Sequence, residues 1–171
     1  MDPDLSTRIL SAVDALFERE IDFLCELTAH PSPRGNEQSA QAFMADEMVA
    51  RGLAVDHWQI SLDEIRDQPG FSPVLTPYED AWNVVGSHRS RSRKGRSLIL
   101  NGHVDVVPAG PEEMWSTPPF APRVEDGWLY GRGAGDMKAG LASNLFALDA
   151  LRALGLQPAA AVFVQSVVEE E

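Results

Sequence analysis

The stretch LILNGHVDVVPAG, residues 98–110, runs an apolar segment into a polar tip. Side chains at i and i+2 of a strand share one face. His103 and Asp105 are therefore expected to project together from the carboxyl end of a strand, where an α/β sheet places its ligands. A carboxylate beside an imidazole can hold one ring nitrogen and leave the other for a metal ion or a proton. A polar strand end whose His–Asp pair satisfies itself fits this stretch equally well.

Working outward, the residues before this strand predict helices, strands and a long connection. From Asp4 to about Thr28, Leu5, Ile9, Val13, Leu16, Phe17, Ile21, Leu24 and Leu27 recur at helical spacing. The helix is expected to stop at HPSPRG, residues 30–35, where two prolines and a glycine break the pattern. Asn36 is expected to cap a second helix through about Arg51, with Phe43, Met44 and Met48 inward and Gly52 past its end. LAVDHWQI (53–60) reads as a strand, and SLDEIRDQPGFSPVLTPYED (61–80) as a long surface connection. WNVVGSH (82–88) and SLILNGH (97–103) read as strands joined by RSRSRKGR, a solvated basic hairpin tip.

Beyond the quoted stretch, residues 108–127 are loop-rich and WLYGRG (128–133) is a short strand. Residues 139–155 form an Ala- and Leu-rich helix ended by Gly155. AAVFVQSVVEEE (160–171) opens as a buried strand and closes in three glutamates. Strands alternating with helices give an α/β layered fold, with a mixed sheet because the middle strands have a short link.

The composition narrows the function. Of 171 residues, 44% are hydrophobic and 23% charged, which suits one globular domain with a substantial core. Against 26 acidic residues stand 14 basic ones, a net charge of −12. That argues against nucleic-acid and anionic-membrane partners, which need a basic face. The lone cysteine, Cys25, excludes an internal disulfide and is read as a buried structural thiol. The acidic, charge-interrupted N-terminus lacks the basic and apolar regions of a secretion signal, so a cytoplasmic location is expected.

Two further polar clusters fall at predicted strand ends. GRGAGDMKAG (131–140) has glycines between a strand and a helix, but it lacks the phosphate-loop patterns. Asp136 would repel a phosphate, and Lys138 offsets that only weakly. Glycines that let a tight turn aim one carboxylate fit better. Such a carboxylate can bridge two divalent ions, and His and carboxylate donors without thiolates suit zinc, with cobalt or manganese as substitutes. At the end of the last strand, one glutamate can ligate metal while its neighbour takes a proton from activated water. A frayed acidic terminus is the plainer reading of EEE.

GHVDVVP, GRGAGDMKAG and VVEEE, in this order and at these intervals, resemble the co-catalytic zinc hydrolases. That family includes acetylornithine deacetylase, succinyl-diaminopimelate desuccinylase, aminoacylase and glutamate carboxypeptidase, and the resemblance takes in nearly the whole chain. It implies a three-layer α/β sandwich with a mixed, mostly parallel central sheet. It also implies roles: His103 a zinc ligand, Asp105 its orienting partner, Asp136 the bridge between two zinc ions followed by a cis peptide bond, Glu170 the general base and Glu171 a ligand. A shift of the glutamate pair to Glu169/Glu170 stays open. The implied reaction is hydrolysis of an amide bond in an N-acyl amino acid or small peptide. Relatives of this kind are often homodimers and more than twice this length, with a lid domain and later ligands absent here. Residues 1–171 are thus expected to be the N-terminal part of a catalytic domain, truncated and incomplete as an enzyme. The alternatives are an inactive remnant, or a module that pairs with a chain carrying the missing ligands. His30, His57 and His88 fall outside the motifs and read as ordinary surface or turn residues.

Overall fold

The computed structural model describes residues 3–74, 78–90 and 94–171. In chain order the elements are α1 (Pro3–Ala29), α2 (Gln38–Ala50), β1 (Ala54–Gln59), α3 (Leu62–Ile65), β2 (Trp82–His88), β3 (Leu98–His103), β4 (Arg123–Glu125), β5 (Trp128–Tyr130), α4 (Ala139–Ala153) and β6 (Val162–Val167). Helix α1 falls where its apolar period places it, and α4 where the Ala- and Leu-rich run before Gly155 does. Residues 75–77 of the long connection and 91–93 of the basic loop lie outside the described residues.

Helix α2 begins differently from the expectation. Glu37, not Asn36, occupies the N-cap, and no side chain caps the helix. The Glu37 carboxylate instead accepts the Gly35 N–H at 2.8 Å, closing the tight PRGNE turn on itself. At the other end Gly52 takes φ +68°, the left-handed geometry that ends a helix at little cost to glycine.

Four strands form one sheet in the order β1-β2-β6-β3. This corrects the hairpin reading: β2 and β3 are not neighbours, because β6 lies between them. VFVQSV, the most apolar of the four, takes a central place with partners on both sides. The mixed sheet is as expected. Among these strands β1–β2 and β2–β6 are antiparallel and only β3–β6 is parallel, so the described sheet is not mostly parallel. β4 and β5 pair as a separate two-stranded ribbon, so the loop-rich segment contains a strand, β4, that its prolines and charges concealed.

Strand register fixes which residues share a face. Val84 and Gly86 of β2, Val162 and Val164 of β6, and Leu100 and Gly102 of β3 lie on one side. A Cβ at Gly86 would stand 2.7 Å from the Met48 sulfur, and one at Gly102 2.8 Å from a Leu141 methyl. Helices α2 and α4 thus press on the same side of the sheet, and α1 packs against α4. Leu27, Met44, Met48, Leu141, Leu145, Val84 and Val164 are sealed between them. Each such side chain contributes roughly 1.5–3 kcal/mol when buried. The opposite face is open: Trp58 and Ile99 are exposed, and Phe163, Gln165 and Val167 are only half-buried. The described residues therefore supply the sheet and one helical layer of the sandwich.

Candidate metal centre

The parallel pairing of β3 with β6 sets His103 beside Val167. Whatever follows these two strands leaves the sheet at the same end. The chain after β3 is pinned by the loop behind α1: the Ser32 hydroxyl donates to the Val104 carbonyl at 2.7 Å, and the Val106 N–H donates to the Ser32 carbonyl at 2.9 Å.

His103 is nearly enclosed, and Asp105 is fully buried. The closest acceptor for the imidazole Nδ1 is the Asp105 main-chain carbonyl at 3.0 Å, with the carboxylate Oδ1 at 3.4 Å. The Asp105 side chain lies beside the imidazole, as expected, but beyond the last residue of β3, and the closer acceptor for Nδ1 is its main-chain carbonyl, which does the orienting. The Asp105 carboxylate has another task. Its Oδ2 accepts the N–H groups of both Glu170 and Glu171, each at 3.0 Å, and so ties the segment after β6 to the segment after β3.

With Nδ1–H donated to a carbonyl, Nε2 presents its lone pair. It faces Asp136 Oδ1 at 3.3 Å and Glu170 Oε2 at 3.5 Å. Three electron-rich atoms held this close call for a cation among them, either a proton on Nε2 or a metal ion. One donor atom each from His103, Glu170 and Glu171 lie within 4.8 Å of one another, the spacing of ligands around a single ion. Asp136 touches His103 but is not part of that triplet. Imidazole nitrogen with carboxylate oxygen and no thiolate suits a borderline divalent cation such as zinc.

Asp136 sits on the turn before α4. Gly133 takes φ +75° there, and a Cβ on it would fall 2.1 Å from a Val106 methyl, so no side chain fits. The Asp136–Met137 peptide bond is cis, as the resemblance implies. Lys138 does not face the turn at all. It is fully buried, and its ammonium donates to the carbonyls of His30 at 2.8 Å and Leu27 at 3.1 Å, at the end of α1. Burial lowers its pKa to about 8. A cleft of about 320 Å³, lined by Val106, Val107, Arg132, Asp136 and Glu171, opens beside these groups.

Glu169 turns the other way. Its Oε2 accepts the Tyr78 hydroxyl at 3.1 Å, and its Oε1 lies 3.6 Å from the Arg34 Nε. The remaining histidines stay out of the centre: His30 stacks on Phe43, His57 lies against Trp82, and His88 Nε2 contacts the Pro158 carbonyl. Cys25 is half-buried rather than buried, and burial followed by the nearby Asp22 raises its pKa, which disfavours the reactive thiolate.

Residues 99–171 match the sequence model of Peptidase family M20/M25/M40. That segment, less than half of the chain, is a match to an M20 family domain. A curated relative, N-formyl-4-amino-5-aminomethyl-2-methylpyrimidine deformylase of Halalkalibacterium halodurans, is 35% identical over 167 residues, covering 95% of this chain and 35% of that protein. Succinyl-diaminopimelate desuccinylase of Stenotrophomonas maltophilia is 34% identical over 129 residues, 75% of this chain and 29% of the enzyme. The chain thus spans about a third of the length of the curated relatives it matches. The fold is that of the di-peptidase Dug1p from Saccharomyces cerevisiae (TM-score 0.76, 22% identity, 95% of this chain and 34% of that one). Human carnosine dipeptidase 1 is as similar (TM-score 0.75, 22% identity, 94% and 34%).

Three groups around the centre have no role in the sequence reading: Arg34 and Glu37, in the SPRGNE turn that the resemblance takes in, and Tyr78. Glu37 is fully buried with Oε2 unpartnered, and burial raises its pKa, with the charges of Asp105 and Glu169 adding to the effect. A charged pair in PRGNE, beside a proline–glycine turn, was the available signal. No helix among the described residues is long and apolar enough to cross a membrane.

Proposed function

We propose that this chain is the N-terminal, metal-holding part of the catalytic domain of a zinc-dependent amidohydrolase acting on N-acyl amino acids or small peptides. The observation that carries this reading is the triplet of His103, Glu170 and Glu171 donors within 4.8 Å, with Asp136 on the free imidazole nitrogen. His103 and Glu171 would be ligands. Asp136, at the tip of its turn, would be shared between two zinc ions, for which cobalt or manganese could substitute. Zinc, when bound, polarises a carbonyl and makes water acidic enough to be deprotonated near neutrality. Asp105 fixes the imidazole through its carbonyl and anchors the glutamates through its carboxylate. The exposed Glu170 carboxylate would take the proton of the attacking water and return it to the leaving amine. The names of the curated relatives, a deformylase and a desuccinylase, favour removal of an acyl group from nitrogen.

The assignment is tested by zinc content and turnover in the longest reading frame that contains the chain. Glu170→Ala is expected to abolish hydrolysis while sparing most of the zinc, and Glu171→Ala to lose zinc. Loss of zinc in Glu170→Ala instead transfers the ligand role to Glu170.

A second reading is favoured by one observation: β3 is an edge strand with Leu98 and Ile99 exposed, leading directly into His103. Such an edge would pair with another polypeptide carrying further ligands.

A further inference from the structure

We propose that Tyr78 and Arg34 hold Glu169 as a latch, making all three positioning residues for the metal centre rather than parts of it. Glu169 takes φ +68°, and only one other described non-glycine residue, Asp126 in the β4–β5 turn, has positive φ. A glutamate in this left-handed region is strained and persists where its surroundings impose it. The imposing groups come from two separate segments: Arg34 from the loop between α1 and α2, and Tyr78 from the connection leading into β2. Each meets one oxygen of the Glu169 carboxylate. Glu169 is thereby drawn to that side. The next two N–H groups both reach Asp105 Oδ2, and their side chains face His103. The same latch bears on the register of the glutamate pair, because the carboxylate held by Tyr78 and Arg34 is directed away from His103.

The inference rests on the metal-binding reading above, so two measurements separate the two. Zinc affinity by calorimetry and the visible spectrum of the cobalt-loaded chain report on the centre. Ultraviolet titration of the phenol reports on the latch without any metal; the chain has two tyrosines, so a Tyr130→Phe background isolates Tyr78. Burial, followed by the bond to Glu169, pushes the Tyr78 pKa up to about 12.

Tyr78→Phe and Glu169→Asn are expected to weaken zinc binding about tenfold and change the cobalt spectrum, as loss of a ligand's supporting contact does, while the melting temperature stays put. Asparagine accepts the left-handed backbone but is too short for the latch. Glu169→Gln, which keeps an acceptor for Tyr78, retains most of the affinity. In the metal-free chain, Glu169→Asn lowers the Tyr78 pKa. The latch is overturned if both variants bind zinc like the parent, or if Glu169→Asn loses zinc as completely as Glu171→Ala. Should the parent chain take up no zinc, the metal reading fails, and the titration alone decides: equal Tyr78 titration in parent and Glu169→Asn refutes the latch.

Discussion

The candidate centre has two halves that differ in how the protein treats them. His103 and Asp105 are sealed, with side chains 5% and 0% exposed, whereas Asp136 and Glu170 stand in solvent at 82% and 62%. The sealed half is part of the architecture. Asp105 joins two strand ends, and its removal leaves the Glu170 and Glu171 N–H groups without their acceptor. The open half has nothing structural to lose, and its carboxylates sit against a lone pair. An arrangement that calls for a cation, proton or metal, built on a rigid base, is what the proposed metal centre rests on.

This contrast can be broken or sharpened by substitution, and the largest effect is expected in the sealed half. Asp105→Ala strips the acceptor from two part-buried N–H groups and should cost about 2 kcal/mol in chemical denaturation, at about 1 kcal/mol for each hydrogen bond lost. Asp105→Asn keeps one acceptor oxygen and should cost less than half as much. A small loss in both variants would mean that the strand ends are held by something else.

The next effect is a gain. Burial raises the Glu37 pKa above its ordinary value. An acid whose folded pKa exceeds its unfolded one stabilises at pH below the unfolded value and loses that contribution as pH rises through the folded value. Glu37→Gln keeps an acceptor for the Gly35 N–H and removes the buried charge. Its melting temperature is expected to exceed the parent's at neutral pH, with the difference vanishing near pH 4. A variant less stable at neutral pH would show that the charge is compensated.

The smallest stability effects belong to the open half. Asp136→Asn and Glu170→Gln should each change stability by no more than about 0.5 kcal/mol, as exposed substitutions usually do. A cost above about 1.5 kcal/mol in either would place that residue with the sealed half.

Much of this arrangement was legible in the sequence, for physical reasons that also mark where legibility ended. Helix α1 follows from a local 3.6-residue period, α4 from an Ala- and Leu-rich run closed by glycine, and β3 and β6 from apolar runs that stop at polar tips. The meeting of those tips required only that strands of one sheet end together. Strand order was not legible. The short link between β2 and β3 suggested a hairpin, and only the long-range pairing of Val162–Val167 with both strands displaces it. Asp105 was singled out by its place beside His103, but its main contacts, to the N–H groups of Glu170 and Glu171, join positions more than sixty residues apart, where local pattern says nothing. The same holds for Tyr78 and Arg34, which carry no periodicity and converge on Glu169 through the tertiary fold. The cap of α2 failed for a local reason: Glu37 spends its carboxylate on Gly35, and the helix starts after it.

The central claim is that the tips after β3 and β6 and the turn before α4 share a divalent cation. Equilibrium dialysis with zinc on the chain itself tests it most directly, comparing the parent with His103→Ala and Asp136→Ala. The account predicts pH-dependent uptake by the parent that is reduced in both variants, more in His103→Ala. Uptake that is equal in all three chains would contradict it.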